Sequence, residues 1–314
     1  MIFVMGATGH IGSKIVSHLL ANGQQVRCLA RHYPNSAELS GAELIEGDAN
    51  SVATVTDCMR HCSAVFTMIP PNMKATEPRY YQNKIGEVIA EAVEESGVTK
   101  VVNLSSIGAN LESGTGIVLG LHDQEERLNA LPGVDIVHLR PTFFMENILS
   151  GIPSMVAMNR YFGTIPGDIP VDMVATQDIA ARAAFLLMNP TFKSHNVEYL
   201  LGERTLTFSE AIQELGEIVE RPDLEYVAVP ESEMRNYLIG AGISADSADA
   251  MNELSRAASN GTLQATVSRD KLNTTATSIE EFGRTTFKTA YMAEMERSRA
   301  RQHQSLSSSP DMHP

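Results

Sequence analysis

An α/β fold, built as a doubly wound parallel sheet with a smaller α+β cap, is what this sequence predicts, and three observations predict it. Short apolar strands alternate with amphipathic helical stretches through the first 140 residues, the rhythm of βαβ units. A glycine-rich turn stands between the first strand and the first helix. The length of 314 residues leaves room for a second, smaller unit after the sheet, at about 100–200 residues per domain.

Taken in order, Ile2-Phe3-Val4-Met5 is the first strand. From Ile11 to Ala21, apolar residues at Ile11, Ile15, Val16, Leu19 and Leu20 share one helical face, and Asn22-Gly23 stops the helix. Further strands follow at Gln25–Ala30, Ala42–Glu46, Ala64–Met68, Lys100–Leu104 and Asp135–Leu139. Between the fourth and fifth strands a long helix runs from Tyr80 to Ser96, closed by Gly97. After Pro141 the alternation weakens: Gly, Pro and Met become frequent from Ser150 to Pro170, and short strands such as Val197–Leu201 sit among helices. The division is therefore residues 1–152 for the sheet, 153–296 for a substrate-capping α+β region, and 297–314 for a disordered tail. In that tail Arg297, Arg299 and Arg301 precede a stretch of Ser, Pro and His with almost nothing to bury.

Composition narrows the function. Hydrophobic residues at 43% and charged residues at 20% exclude collagen, coiled coil and wholesale disorder. Twenty-four Lys and Arg against 38 Asp and Glu give a net charge of −14, which opposes a phosphate backbone and argues against nucleic acid as a partner. Cys28, Cys58 and Cys62 are too few for a disulfide framework and suit a reducing compartment. No apolar run approaches the roughly 18 residues that span a bilayer. The expectation is a cytoplasmic protein with a small-molecule partner and no membrane partner, self-association being left open.

The segment Gly6-Ala7-Thr8-Gly9-His10-Ile11-Gly12 has a glycine at every third position. Such spacing permits a tight turn, close approach of the backbone to a pyrophosphate and close packing of helix on strand, while the helix N-terminus offers free N–H groups to an anion. This strand-turn-helix context points to dinucleotide binding and a Rossmann sheet. An acid about 20 residues after the glycines would hold an NAD ribose. Here Arg31 stands 19 residues after Gly12, and a cation suits a 2′-phosphate, so NADPH is expected in preference to NADH. Asp48, with Ala49 beside it, is placed either to meet the adenine amino group or to cap the helix that starts near Ser51. Met68 and Pro70, after the fourth strand, bring backbone toward the cofactor ribose.

These residues carry a family resemblance. The glycine segment, Asn103-Leu104-Ser105-Ser106-Ile107-Gly108-Ala109, His122-Asp123-Gln124-Glu125-Glu126-Arg127-Leu128 and Leu139-Arg140-Pro141-Thr142-Phe143-Phe144-Met145-Glu146-Asn147, in that order, resemble the NmrA-like group of atypical short-chain dehydrogenases over residues 1–290. That group holds NADPH-dependent quinone reductases, triphenylmethane dye reductases, isoflavone reductase-like enzymes and non-enzymatic redox-sensing regulators. The resemblance places a catalytic lysine 18 residues before Arg140 and a tyrosine four residues earlier. This chain has His122 and Val118 there. A histidine at that place is similar to the quinone and dye reductase branch.

Without the tyrosine, a ketone loses the acid that relieves the charge built up by hydride transfer, a contribution of roughly 10²–10⁴-fold. A quinone or other conjugated acceptor delocalises that charge itself. The reading is therefore an NADPH-dependent reductase of quinone-like or conjugated molecules, and its rival is an NADP(H)-binding redox sensor that acts through a protein partner without turnover. His122 is the candidate proton donor, with a structural hydrogen bond as its alternative role. Ser105 is a candidate cofactor contact, and Ser106, Phe143, Phe144 and Asn147 are candidate substrate contacts, with core packing the alternative for the two aromatics. Cys58, His61 and Cys62 lack the second ligand cluster of a metal site. Asp178 reads as an acid at a helix start.

Overall fold

The computed structural model describes residues 1–31 and 39–307. The first half follows the expected rhythm: β1 (Ile2–Val4), α1 (Gly12–Ala21), β2 (Val26–Ala30), β3 (Glu43–Glu46), α2 (Val52–Met59), β4 (Ala64–Thr67), α3 (Pro78–Ser96), β5 (Lys100–Leu104), α4 (Leu119–Asn129) and β6 (Asp135–Pro141). The second half runs β7 (Phe143–Phe144), α5 (Ile152–Met158), β8 (Arg160–Gly163), β9 (Pro170–Val174), α6 (Thr176–Met188), β10 (His195–Leu200), β11 (Thr205–Thr207), α7 (Phe208–Ile218), β12 (Glu225–Ala228), α8 (Glu231–Gly240), α9 (Ala245–Ser259), α10 (Ile279–Phe282) and α11 (Lys288–Ser307). Local chemistry sets several ends. Gly23 (φ 70°) and Gly97 (φ 72°) close α1 and α3 in the left-handed region, and Pro78 opens α3 where no N–H is needed.

Seven parallel strands form the central sheet in the order β10-β6-β5-β4-β1-β2-β3. β1 and β4 are buried along their whole length, which is why they read as unbroken apolar runs rather than alternating ones. One face of the sheet packs α1 and α6 through Ile15, Leu19, Ile179 and Ala183; the other packs α2, α3 and α4 through Met59, Ile89, Val93 and Leu128. Strand order reverses between β1 and β4, so the loops after these two strands flank the crevice in which ligands bind in such sheets.

Two expectations are corrected. The strand near Val197–Leu201, read as part of the cap, is β10, which pairs with β6 as a seventh strand of the main sheet while α6 packs on α1. Residues 297–307, read as disordered, continue α11, where Arg297 and Arg301 both pair with Glu294 and give the polar helix end something to hold. The rest of the expected tail, 308–314, lies outside the described residues. The cap itself is a sheet β11-β9-β7 and a ribbon β12-β8 around a third core that includes Tyr161, Phe208, Phe282, Phe287 and Tyr291. Among the described residues, no helix is long and apolar enough to cross a membrane.

Candidate active site

The glycine segment forms the loop from β1 into α1. Gly6 leaves the strand at φ 69°, and a Cβ there would lie 2.8 Å from Met68 Sδ, so Met68 closes over the loop from β4. A Cβ on Gly12 would fall 2.1 Å from the Gly6 carbonyl oxygen, so the helix starts against the loop at a distance only glycine permits. Gly9 differs: it is exposed, and a Cβ there would meet only the Gly6 carbonyl oxygen, at 3.3 Å. Thr8, Gly9 and His10 line an open mouth, with Ile11 buried beneath. α1 carries no side-chain cap and no acid in its first turn, so its positive end is free for an anion. Nearby α6 is the opposite case. Its first N–H, on Thr176, donates to both carboxylate oxygens of Glu146 at 3.1 and 2.9 Å, closing that end. Lys14 joins the two helices, donating to the His10 carbonyl at 2.8 Å and to Thr176 Oγ1 at 3.1 Å. An uncapped helix start behind an open glycine fits a dinucleotide pyrophosphate.

At the carboxyl ends of β2 and β3, Arg31 is exposed just past β2 and Asp48 is exposed past β3, with Ala49 half-buried beside it. Asp48 does not cap α2. Ser51 does, accepting from the Thr54 N–H at 3.3 Å, while Asp48 Oδ1 accepts from the backbone and side chain of Asn50 at 2.9 and 2.7 Å. Tyr81 of α3, which the sequence reading passed over, donates its phenol to the Pro70 carbonyl at 3.1 Å. Burial pushes this phenol up, while Arg31 pulls it down and Asp48 pushes it up. The Tyr81 phenol thus stands on Pro70 within the field of both Arg31 and Asp48.

At the end of β5, Ser105 is buried and its hydroxyl donates to Glu125 of α4 rather than toward the crevice. Glu125 also accepts from Arg140 Nε at 2.9 Å and Nη2 at 2.5 Å, a bidentate pair in which both residues are under 10% exposed. Burial opposes the Arg140 charge, but the bonds and field of Glu125 outweigh it and raise its pKa. Ser106 is half-buried and donates to the Ile107 carbonyl at 3.0 Å. Val118 is buried in a short 3-10 helix, Gly116–Val118, and His122 is half-buried with Nδ1 donating to the Ala109 carbonyl at 2.9 Å. Next to it Asp123 is held below the usual carboxylate range by the hydrogen bonds of Arg79 and Asn83, despite partial burial.

The substrate candidates past β6 diverge. The Phe143 ring meets Phe208 edge-on, centroids 5.1 Å apart, and so belongs to the cap core. Phe144 packs partly buried against the α1–α6 face of the sheet, and Asn147 is exposed on a 3-10 helix, Met145–Gly151. Asp178 begins α6 as expected and also holds the cap, accepting from Thr277 N at 2.9 Å and Oγ1 at 2.8 Å. Burial pushes Cys28 up to about 12 and Cys58 up to about 11, and raises Cys62 as well, so none is a poised thiolate. Among the described residues, no group of three or more His, Cys, Asp or Glu is placed to hold a metal ion.

Comparison with known proteins decides the family. A profile described as NAD(P)H-binding matches residues 6–189, from the glycine loop to the end of α6. The chain belongs to this NAD(P)H-binding family. Its relatives include an NAD(P)H azoreductase of Xenophilus azovorans, 26% identical over 256 residues, covering 81% of this chain and 86% of that protein. Another is an uncharacterized oxidoreductase, YesF, of Bacillus subtilis, 26% identical over 83% of this chain and 85% of that one. The fold is shared with an NADPH-dependent quinone oxidoreductase of Escherichia coli solved with NADPH, at 21% identity and a TM-score of 0.76 over 91% of this chain and all of that one. It is shared also with Citrobacter sp. triphenylmethane reductase solved with NADP(H), at 20% identity and a TM-score of 0.74 over 94% of this chain and all of that one. The NmrA-like resemblance and the Rossmann sheet drawn from the sequence agree with these matches, and the family is one of NAD(P)H-binding oxidoreductases.

Proposed function

We propose that this protein is an NADPH-dependent reductase of quinone-like or other conjugated small molecules, working without a Tyr-x-x-x-Lys pair. The observation that carries the reading is the pair of side chains at the places the resemblance reserves for that motif. Val118 is buried and carries no proton, and His122 is a half-buried imidazole tied to the Ala109 carbonyl. When bound, the cofactor supplies a hydride. Gly6, Gly9 and Gly12 shape the cradle for its pyrophosphate, the α1 N-terminus faces that charge, and Arg31 and Asp48 take the adenosine end. The cap, built on β8, β9 and the elements after β10, covers the opposite side. Ser244 Oγ donates to the Ala75 carbonyl at 2.5 Å and Ser247 Oγ to the same carbonyl at 3.2 Å, fastening α9 over the loop that follows β4. His122 is the one group near the end of β5 that this reading assigns to hydrogen-bond or protonate an acceptor.

The test is to follow loss of reduced-cofactor absorbance with saturating NADPH and a panel of quinones, azo and triarylmethane dyes, and a simple aliphatic ketone. Turnover of conjugated acceptors with little of the ketone is expected. Equal ketone turnover would show that another acid supplies the proton, and no turnover of any acceptor would favour a sensor.

A further inference from the structure

His122, Glu125 and Asn129 stand at i, i+3 and i+7 on α4, one stripe of a helix with about 3.6 residues per turn. Each makes a polar contact with the sheet or with the loop leaving it. His122 Nδ1 donates to the Ala109 carbonyl at 2.9 Å. Glu125 accepts from Ser105 and, twice, from Arg140. Asn129 Oδ1 accepts from His138 Nε2 at 3.0 Å. This third contact continues across the sheet, because His138 Nδ1 accepts from Asn103 Nδ2 at 3.1 Å and Asn103 Oδ1 accepts from Thr67 at 3.0 Å. The first two contacts end on one segment, Ser105 to Ala109, which is itself held to β6 by Ser105 N–H on the Leu139 carbonyl at 2.7 Å and Ile107 N–H on the Pro141 carbonyl at 2.9 Å.

This arrangement has a mechanical consequence. The apolar contacts of α4 are non-directional and tolerate a small slide along the sheet, whereas buried hydrogen bonds do not. The bidentate Glu125–Arg140 pair is specific in distance and plane. It is braced from behind, since Arg140 Nη1 donates to Tyr199 Oη of β10 at 3.0 Å, and Tyr199 shares a hydrogen bond with Thr266 at 3.2 Å.

We propose that Glu125 and Asn129 are positioning residues that set α4 along the sheet so that the Ala109 carbonyl holds one His122 proton on Nδ1, while the proton passed to an acceptor is the second one, on Nε2 of the imidazolium, leaving the neutral Nδ1–H ring behind. In a neutral imidazole one nitrogen donates and the other accepts, so the Ala109 contact decides which is which. This rests on the reading of His122 given above.

The tautomer can be read without turnover. In full-length protein labelled with ¹⁵N-histidine above about pH 8, the His122 side-chain signals, identified by their loss in His122→Asn, should report the Nδ1–H form. Glu125→Gln keeps the size and removes the charge facing Arg140; Asn129→Ala removes the third contact and leaves the ion pair. In both folded variants the His122 signals should move to a mixture of tautomers. Their kcat with a quinone should fall about 10–100-fold, the scale of a misplaced group, with KM for NADPH within about twofold. Glu125→Asp should recover part of the loss. Unchanged His122 signals in the folded variants overturn the proposal, and if Glu125→Gln does not fold, Asn129→Ala decides. Failure of the wild type to reduce any quinone would defeat the functional reading alone, because the tautomer measurement still decides this one.

Discussion

Arg31 is one exposed side chain at the end of β2, and on the reading proposed above it sets the choice between two cofactors. A charge-assisted contact to a 2′-phosphate contributes on the order of 1–3 kcal/mol, about 5- to 150-fold in affinity. Titrating NADPH and NADH into wild type and Arg31→Ala should show a preference for NADPH that the variant loses; equal affinities in the wild type would sink the assignment. Two glycines of one loop should separate by the same logic of single atoms. Gly9→Val adds bulk where only the Gly6 carbonyl is near, so the protein should fold and fail to bind NADPH. Gly12→Ala puts a methyl 2.1 Å from a backbone oxygen, so thermal stability itself should drop, by about 1–3 kcal/mol as for other overpacked sites. Calorimetry and melting curves distinguish the two.

α4 shows how differently two ion pairs on one element weigh. Arg79 reaches Asp123 at 2.7 and 2.8 Å from α3, but its side chain is 47% exposed, so Arg79→Ala should cost no more than about 1 kcal/mol. Two residues on, on the inner side of the helix, Glu125→Ala would strand a buried guanidinium, and a loss of about 3–5 kcal/mol is expected in denaturant unfolding. A loss under 1 kcal/mol would mean that water or another acid reaches Arg140. Both partners stand in the sequence within the segments His122 to Leu128 and Leu139 to Asn147, yet nothing in either segment names the other. Phe143 is a similar case: its position after β6 left a substrate wall and core packing both open, and β7 sets it in the cap against Phe208, a partner that only the return of the chain supplies.

The whole molecule answers to pH through a group at its centre. His138, 1% exposed between β5 and α4, is pushed down by burial to about 4. In the unfolded chain it titrates near 6.5, so above that value both states are neutral and the residue adds no pH dependence. Between about 6.5 and 4 the unfolded chain binds a proton that the native state refuses, and stability falls as pH falls, by up to about 3 kcal/mol. Unfolding free energies measured across that window should show the slope in wild type and a flatter one in His138→Gln. An unchanged slope would assign the acid sensitivity to other groups.

What the sequence by itself determined is what neighbours in the chain decide. The glycine loop, the helix stops at Gly23 and Gly97 and the six strands up to Asp135 follow from side-chain period and turn chemistry within a few residues, and they sufficed for a Rossmann sheet with an NAD(P)H loop. Only the tertiary structure decided that β10 lies beside β6, that Ser105 turns inward to Glu125, and that Tyr81 reaches the Pro70 carbonyl. Each of these depends on segments far apart in the chain, as with Arg140 and Tyr199, 59 residues apart and 3.0 Å from bond to partner. A buried charge or an open strand edge needs some partner, and which one it finds is settled by how the chain packs, where period and turn carry no information.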